Sequence, residues 1–285
     1  MSFSNTFINI INHIENDGQE SQPRDLKVKE SVLSSFAVDP KEPIANFENR
    51  KFNWKYLAGE LAWYLNQDRD VDYIGAFSKF WGSLTNPGTN EINSNYGSLV
   101  FNKEQFGWVV DSLTKDINSR QAIMFFNQPK FQFEGNKDFV CTMYANFFIR
   151  NNQLHMKVQM RSNDIFYGLT FDAPFFSFLQ QSVYLKLKET YPDLELGVYY
   201  HFADNLHFYE RHFDLANSIK VEDINPEDEH KFILKEPFIG YDGDKVFLTD
   251  TALEYIRKVN DTIGEDKSTA DQDYYKSLIA NYFEI

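Results

Sequence analysis

Cys141 is the sole cysteine among 285 residues, so neither an intrachain disulfide nor a multi-thiolate metal site accounts for it. A thiol left over in this way is either an inert apolar filler or a nucleophile. Its surroundings, DFVCTMYANFFI, are strand-like, where inert burial is the usual fate. Glu60 raises the same question. It falls three residues after Leu57 and four before Tyr64, on or beside the apolar face of a helix. A carboxylate there is either satisfied internally or held as an acid or base. His201, His207 and His212, with Asp204 and Glu210 between them, match no common metal-ligand spacing, and no metal is expected. Taken one at a time, these residues leave both readings open.

The elements that must position them follow from periodicity. Phe7, Ile10, Ile11 and Ile14 mark a helix over 4–16, and the polar DGQESQPRDLKVKE after it reads as a surface loop carrying Arg24. A β-prone run at 32–37 leads to Pro40 and Pro43. A helix over 53–66 carries Glu60 beside the stripe Leu57, Leu61 and Tyr64. After the turn-rich NPGTNEINSNYG, a second helix over 103–115 turns Phe106, Val109, Val110 and Leu113 inward. Strands are predicted over 122–134, 138–149 and 153–161, the last two joined by a hairpin turn at Arg150-Asn151-Asn152-Gln153 and the third ended by Arg161. Asp172-Ala-Pro-Phe reads as a helix start with an acidic cap, a strand over 195–203 precedes His207-Phe208-Tyr209, and further helices are predicted at 250–260 and 271–282.

Composition limits the partners. With Lys+Arg 28 against Asp+Glu 42, the formal charge is −14, which leaves no broad footprint for polymeric nucleic acid or an anionic membrane. The N-terminus has neither a basic flank nor a cleavage site, so a cytoplasmic protein with no membrane segment is expected. No repeat, low-complexity tract or clear linker divides residues 1–285, which read as a single domain.

The order of the short strings says more than any of them singly. GELAWYL, SR, VCT, RSNDIFYGLTFD and HFYERH follow one another as do the motifs of thymidylate synthases and their hydroxymethylase relatives. The chain resembles this superfamily from about Arg24 to Phe213, most closely the phage-type deoxycytidylate hydroxymethylases, through NEINSNYG (90–97), NSRQAIM (118–124), DFVCT (138–142) and MRSND (160–164). The segment from about 226 is divergent. The resemblance implies an α/β (α+β) fold with a mixed sheet and flanking helices, in a sheet-packed homodimer whose active site borrows an arginine from the partner.

By that resemblance Cys141 is the nucleophile, with Arg161 as the cation that favours its thiolate. Arg24, Arg161 and Ser162 hold the nucleotide phosphate within the subunit and Arg120 reaches the partner's site. Guanidinium forks suit phosphate, and eight arginines suffice in an acidic protein if they converge. Gln121 departs from the family, which has a second arginine there. His207 and Tyr209 correspond to the pair on the sugar 3′-hydroxyl. Tyr96 stands near the reacting carbon, Asn163 near the base, and Asp164 and Trp81 near the folate; an indole at 81 is equally at home in a core. Asp172 stands where uracil-specific enzymes have asparagine and cytosine-specific ones aspartate, as expected from the opposite donor–acceptor edges of the two bases. It could equally be no more than a helix cap.

The implied substrates are a pyrimidine nucleoside monophosphate, dCMP, and 5,10-methylenetetrahydrofolate, with Glu60 relaying protons and water trapping an exocyclic methylene to give 5-hydroxymethyl-dCMP. A thymidylate synthase, a cytidylate methylase or a CMP hydroxymethylase would share nearly every residue. A non-catalytic nucleotide-binding relative is a third possibility, against which intact Cys141, Glu60 and Arg161 argue. A virus that modifies its DNA precursors would be the expected source, acting in the host cytoplasm.

Overall fold

The computed structural model describes residues 2–224, 230–263 and 271–285. Helix α1 (Phe3–Asp17) buries the four residues its spacing singled out and ends at Gly18, where a Cβ would collide with the Ile14 and Glu30 carbonyl oxygens. Strands β1 (Gln19–Ser21) and β2 (Val28–Val38) follow, then α2 (Trp54–Asn66), α3 (Val71–Gly75), α4 (Tyr96–Val100) and α5 (Trp108–Lys115). Asn53 caps α2 by accepting from Tyr56 N, and Gln67 closes it in the left-handed region.

The sheet strands are then β3 (Ile123–Phe125), β4 (Thr142–Arg150), β5 (Gln153–Met160), the two-residue β6 (Asn163–Asp164) and, beyond α6 (Thr170–Leu187), the long β7 (Glu195–Tyr209). The chain continues through α7 (Phe213–Ser218), β8 (Ile233–Leu234), β9 (Ile239–Tyr241), β10 (Val246–Leu248), α8 (Asp250–Asn260), α9 (Gln272–Ala280) and β11 (Phe283–Glu284).

The seven-stranded sheet runs β1-β2-β7-β5-β4-β3, with β6 also beside β7. It is mixed, because β5 and β6 pair with β7 in parallel while the other neighbours are antiparallel. A parallel partner needs a crossover, and α6 supplies it from β6 to β7. The hairpin between β4 and β5 turns at Asn151 (φ 51°) and Asn152 (φ 60°), a conformation that asparagine tolerates.

α6 packs on β5 and β7 and also meets β8 and β9 of the C-terminal segment. The Gln181 amide donates to Pro40 O (2.8 Å) and Phe232 O (2.7 Å) and accepts from Leu234 N (2.7 Å), joining that segment to the helix. Buried apolar residues from Phe3 to Phe283 form one cluster, and the boundary near 226 falls outside the described residues. Among the described residues no helix is long and apolar enough to cross a membrane.

Several local expectations change: the polar stretch read as a loop holds β1 and the start of β2, which pair with each other, and β7 runs on past 203 through His207-Phe208-Tyr209. The run 122–134 is extended only at Ile123–Phe125, because a 3-10 turn at Pro129–Phe131 interrupts it. Strand β4 begins one residue after Cys141 rather than at 138. Asp172 is not the cap of α6: a π turn at Ile165–Leu169 starts the helical path earlier, and Asp164 caps that turn by accepting from Phe166 N (2.8 Å) and Tyr167 N (2.6 Å).

Candidate active site

Cys141 stands just before β4, half-buried, and its carbonyl accepts from Arg161 N (2.9 Å) as β5 runs out. That pairing brings the Arg161 guanidinium to the thiol, with Nη2 3.5 Å from Sγ. The same guanidinium donates to Val140 O (3.2 Å) and to Phe139 O, and lies 4.8 Å from the Phe139 ring centre. Burial nevertheless pushes the Cys141 thiol above its ordinary pKa; Arg161 and Arg24 pull it down while Asp172 and Asp138 push it up. The two guanidinium charges do not offset the loss of solvent at the thiol.

Glu60, 6% exposed on α2, is a buried acid. Its Oε1 accepts from Tyr56 OH (2.9 Å) and Tyr64 OH (3.3 Å), one helical turn to either side. Burial, reinforced by the Asp172 charge, raises its pKa to about 8 against the two tyrosine hydrogen bonds. Trp81 Nε1 donates to Tyr56 OH (2.9 Å), so the indole is linked to Glu60 through one phenol while its ring packs on Trp63. Tyr64 in turn stacks on Tyr96, with centroids 5.3 Å apart and planes 8° from parallel. The Tyr96 hydroxyl accepts from Thr142 Oγ1 (2.9 Å), beside Cys141.

Asp172 and Asn163 meet across the start of α6: Asn163 Nδ2 donates to Asp172 Oδ2 at 2.7 Å. Burial raises Asp172 to about 6, held down by that bond. Burial likewise raises Asp164 to about 6, and its Oδ2 is buried without a hydrogen-bond partner. Arg50, itself buried, donates to Phe166 O (2.5 Å) and Thr170 Oγ1 (3.1 Å) nearby.

Arg24 lies on a tight turn with Asp25, at φ 51° and 62°, and its charge reaches Cys141, His207 and Tyr209. Two successive non-glycine residues in the left-handed region are strained. His207 and Tyr209 share one face of the end of β7, with rings 5.3 Å apart and perpendicular. Burial lowers His207 to about 4, so it is neutral at neutral pH, with Nδ1 buried and unpartnered. Ser162 is half-buried between β5 and β6.

Electrostatic couplings run from Cys141 to Arg161, Arg24, Asp172, Tyr96 and Tyr209, from Asp172 on to Glu60, and from Arg24 to His207. Arg120 is the exception: it is exposed on the loop between α5 and β3, next to Gln121, whose carbonyl accepts from Trp108 Nε1 (2.8 Å). A cavity of about 880 Å³ between α1 and β2 contains none of these residues. Among the described residues no group of three or more His, Cys, Asp or Glu side chains is gathered for a metal ion.

Sequence reasoning passed over Tyr56 and Tyr64 as partners of Glu60, although their i−4 and i+4 spacing announces it. It also passed over Asp138, which is buried and accepts from Asn93 N (2.6 Å), Ser94 N (2.7 Å) and Ser94 Oγ (2.5 Å), holding the loop that leads into Tyr96. Nothing in the spacing of those residues could have shown that contact.

The sequence model of the family described as thymidylate synthase matches residues 5–235. The chain belongs to the thymidylate synthase family, whose enzymes transfer one-carbon units. The deoxycytidylate 5-hydroxymethyltransferase of Enterobacteria phage T6 is 30% identical over 202 residues, covering 67% of this chain and 80% of that protein. The deoxyuridylate hydroxymethyltransferase of Bacillus phage SP01 is 27% identical over 221 residues, covering 71% of this chain and 56% of that one. Among solved structures, a thermostable thymidylate synthase A from Bacillus subtilis shares the thymidylate synthase fold at a TM-score of 0.60 and 21% identity, over 76% of this chain and 83% of its own. The mixed sheet with flanking helices is therefore the thymidylate synthase fold, as the motif order implied.

Proposed function

We propose that this member of the thymidylate synthase family hydroxymethylates dCMP, taking a one-carbon unit from 5,10-methylenetetrahydrofolate and oxygen from water. The observation that carries the reading is the buried Asp172 carboxylate, close enough to Cys141, Tyr96 and Glu60 to perturb all three. A carboxylate accepts from the cytosine amine and pairs with N3 once that nitrogen is protonated, whereas uracil would turn O4 and N3–H the wrong way for one of the two contacts. The phage deoxycytidylate relative supports the same base.

Cys141 adds to C6 of the base, giving up its proton as it does so, and Arg161 stabilises the sulfur anion on the way. The electron pair displaced to C5 attacks the one-carbon unit, which the folate supplies at the oxidation level of formaldehyde. Glu60, at about 8, is a protonated acid at neutral pH and can give a proton to the departing folate nitrogen. The C5 hydrogen leaves as a proton, water adds to the exocyclic methylene with the Glu60 carboxylate accepting its proton, and Cys141 departs. No electrons are exchanged with the folate. The phosphate falls to Arg24, Arg161 and Ser162, with Arg120 from the partner, and the neutral His207 with Tyr209 takes the sugar hydroxyl.

Asp164 and Trp81, the residues the resemblance gives to the folate, have chemistry that fits a pterin. Asp164 Oδ2 is a buried acceptor without a partner, suited to N–H groups, and the half-buried Trp81 offers an aromatic face. The homodimer is supported by the outer face of the sheet, where Tyr144, Phe148, His155, Lys157, Tyr200 and Phe202 are half-buried in contact with one another. The reading treats residues 1–285 as one domain acting on soluble nucleotides in the cytoplasm, the host's if the source is a virus.

Incubation of the protein with dCMP and methylenetetrahydrofolate tests this. The expected products are 5-hydroxymethyl-dCMP by mass and tetrahydrofolate by absorbance; dihydrofolate formed in step with nucleotide turnover would identify a methyl-forming enzyme and overturn the assignment.

A further inference from the structure

Trp81, Tyr56, Tyr64 and Glu60 form a hydrogen-bonded set whose direction is fixed by what each group can donate. The indole of Trp81 has an N–H and no acceptor, so at 2.9 Å it donates to Tyr56 OH. The phenol oxygen has then accepted, and its own proton lies toward Glu60 Oε1, also at 2.9 Å, the one acceptor it meets among the described residues. Tyr64 OH, buried one turn further along α2, meets the same oxygen at 3.3 Å. A buried phenol proton without an acceptor is unfavourable, so Oε1 receives both. Among the described residues nothing donates to Oε2. The rings that carry these groups are held in place. Tyr56 lies edge-on to Phe171 of α6 with centroids 4.5 Å apart, Trp81 packs on Trp63 at 5.2 Å, and Tyr64 stacks on Tyr96.

We propose that Trp81 and Tyr56 are positioning residues for Glu60: the indole N–H gives the chain one direction, Oε1 is held as an acceptor, and the proton that Glu60 transfers is carried on Oε2. The inference rests on the reading of Glu60 as acid and base of the reaction. A protonated carboxyl has one carbonyl oxygen and one hydroxyl oxygen, and the oxygen that faces two phenol donors is the carbonyl one. Oε2 then gives its proton to the departing folate nitrogen and, once ionised, takes one from the attacking water. Trp81 does more here than offer an aromatic face, because its N–H polarises the Tyr56 hydroxyl and strengthens the bond to Oε1. That bond favours the ionised carboxyl, against burial and the Asp172 charge on α6, which favour the protonated one.

Infrared titration of the protein without substrates tests this, the Glu60 carboxyl band being identified by its absence from Glu60→Gln. The groups facing Glu60 are Tyr56 and Tyr64 on its own helix and Asp172 on α6. Asp172, at about 6, is largely ionised across the range read, pH 7 to 10, while the two phenols, raised by burial, keep their protons throughout. Tyr56→Phe keeps the ring and removes the hydroxyl. It is expected to raise the C=O stretching frequency, because Oε1 loses its shorter hydrogen bond, and to move the titration midpoint up by about one pH unit, the tenfold change in proton affinity that one such bond supports. Trp81→Phe is expected to shift both in the same direction by less. In the double variant the two effects do not add, since without the phenol the indole N–H has no path to Glu60. An unmoved frequency in Tyr56→Phe would put the proton on Oε1, and an unmoved Trp81→Phe or an additive double variant would break the chain; each overturns the inference. Either single variant carries the test if the other does not fold. A wild-type Glu60 that titrates in the ordinary carboxylate range overturns its acid role in the proposed function as well, whereas a midpoint near 8 that neither variant moves overturns this inference alone.

Discussion

Arg161 Nη2 stands 3.5 Å from Cys141 Sγ, and the thiol is still held above its ordinary pKa. The nearest cation thus tempers the effect of burial without reversing it. Removing it leaves burial unopposed. Cys141→Ala should abolish turnover while keeping nucleotide affinity within a few-fold, since the thiol acts in the covalent step. Arg161→Ala should damage both and slow alkylation of Cys141 at fixed pH. Wild-type turnover by the Cys141→Ala protein would return this residue to inert burial.

Arg120 offers a cleaner test of the dimer. Cys141→Ala and Arg120→Ala homodimers should each be impaired, but a mixed dimer contains one site with an intact thiol and the other subunit's intact arginine. Random reassortment of equal amounts should restore roughly a quarter of wild-type activity. If Arg120 serves its own subunit, mixing will restore nothing.

Glu60 links the site to stability. Its pKa, about 8 when folded, lies above the ordinary carboxylate value of the unfolded chain, so the folded state binds the extra proton. The resulting stability is fully present below the unfolded pKa and is lost as pH rises through 8. It amounts to a few kcal/mol, at about 1.4 kcal/mol for each tenfold difference in proton affinity between the folded and unfolded chain. Melting temperatures of wild type and Glu60→Gln, measured from pH 5 to 9, should converge or cross as the wild type declines and the variant stays flatter. Parallel curves would mean that Glu60 is not the titrating group.

Asp172→Asn should move preference from dCMP toward dUMP, because an acceptor-only group becomes one with a donor and an acceptor. A matched pair of buried hydrogen bonds discriminates by a few kcal/mol, so the ratio of kcat/KM for the two bases should change about a hundredfold or more. Exchange of the C5 hydrogen with solvent scores both substrates regardless of final product. An unchanged ratio in a folded, active variant would remove the main support for cytosine. Since Asp164 rather than Asp172 caps the turn leading into α6, loss of a helix cap cannot explain the outcome.

Much of this was legible in the sequence where local rules decide. The helix carrying Glu60, the Asn151–Asn152 hairpin and the four inward residues of α1 follow from periodicity and turn chemistry. The start of α6 did not, because a π turn breaks the 3.6-residue period and shifts the cap eight residues back to Asp164. The effect of burial on the Cys141 thiol was not legible, because charge is visible in a sequence and desolvation is not. The Asn163–Asp172 contact joins a strand end to a helix interior across a turn whose shape no residue type announces.

β7 pairs with β2 so that His207 meets Glu30 and Tyr209 meets Val28, contacts between residues some 180 positions apart, whereas Cys141 and Arg161 are brought together by a hairpin of twenty. Closing the longer loop costs more chain entropy and comes later in folding. A nascent chain can therefore form the thiol and its guanidinium before Arg24, His207 and Tyr209 arrive to surround them. In that interval the nucleophile is present but nothing yet selects what it meets, and oxidants or stray electrophiles will find it most exposed then.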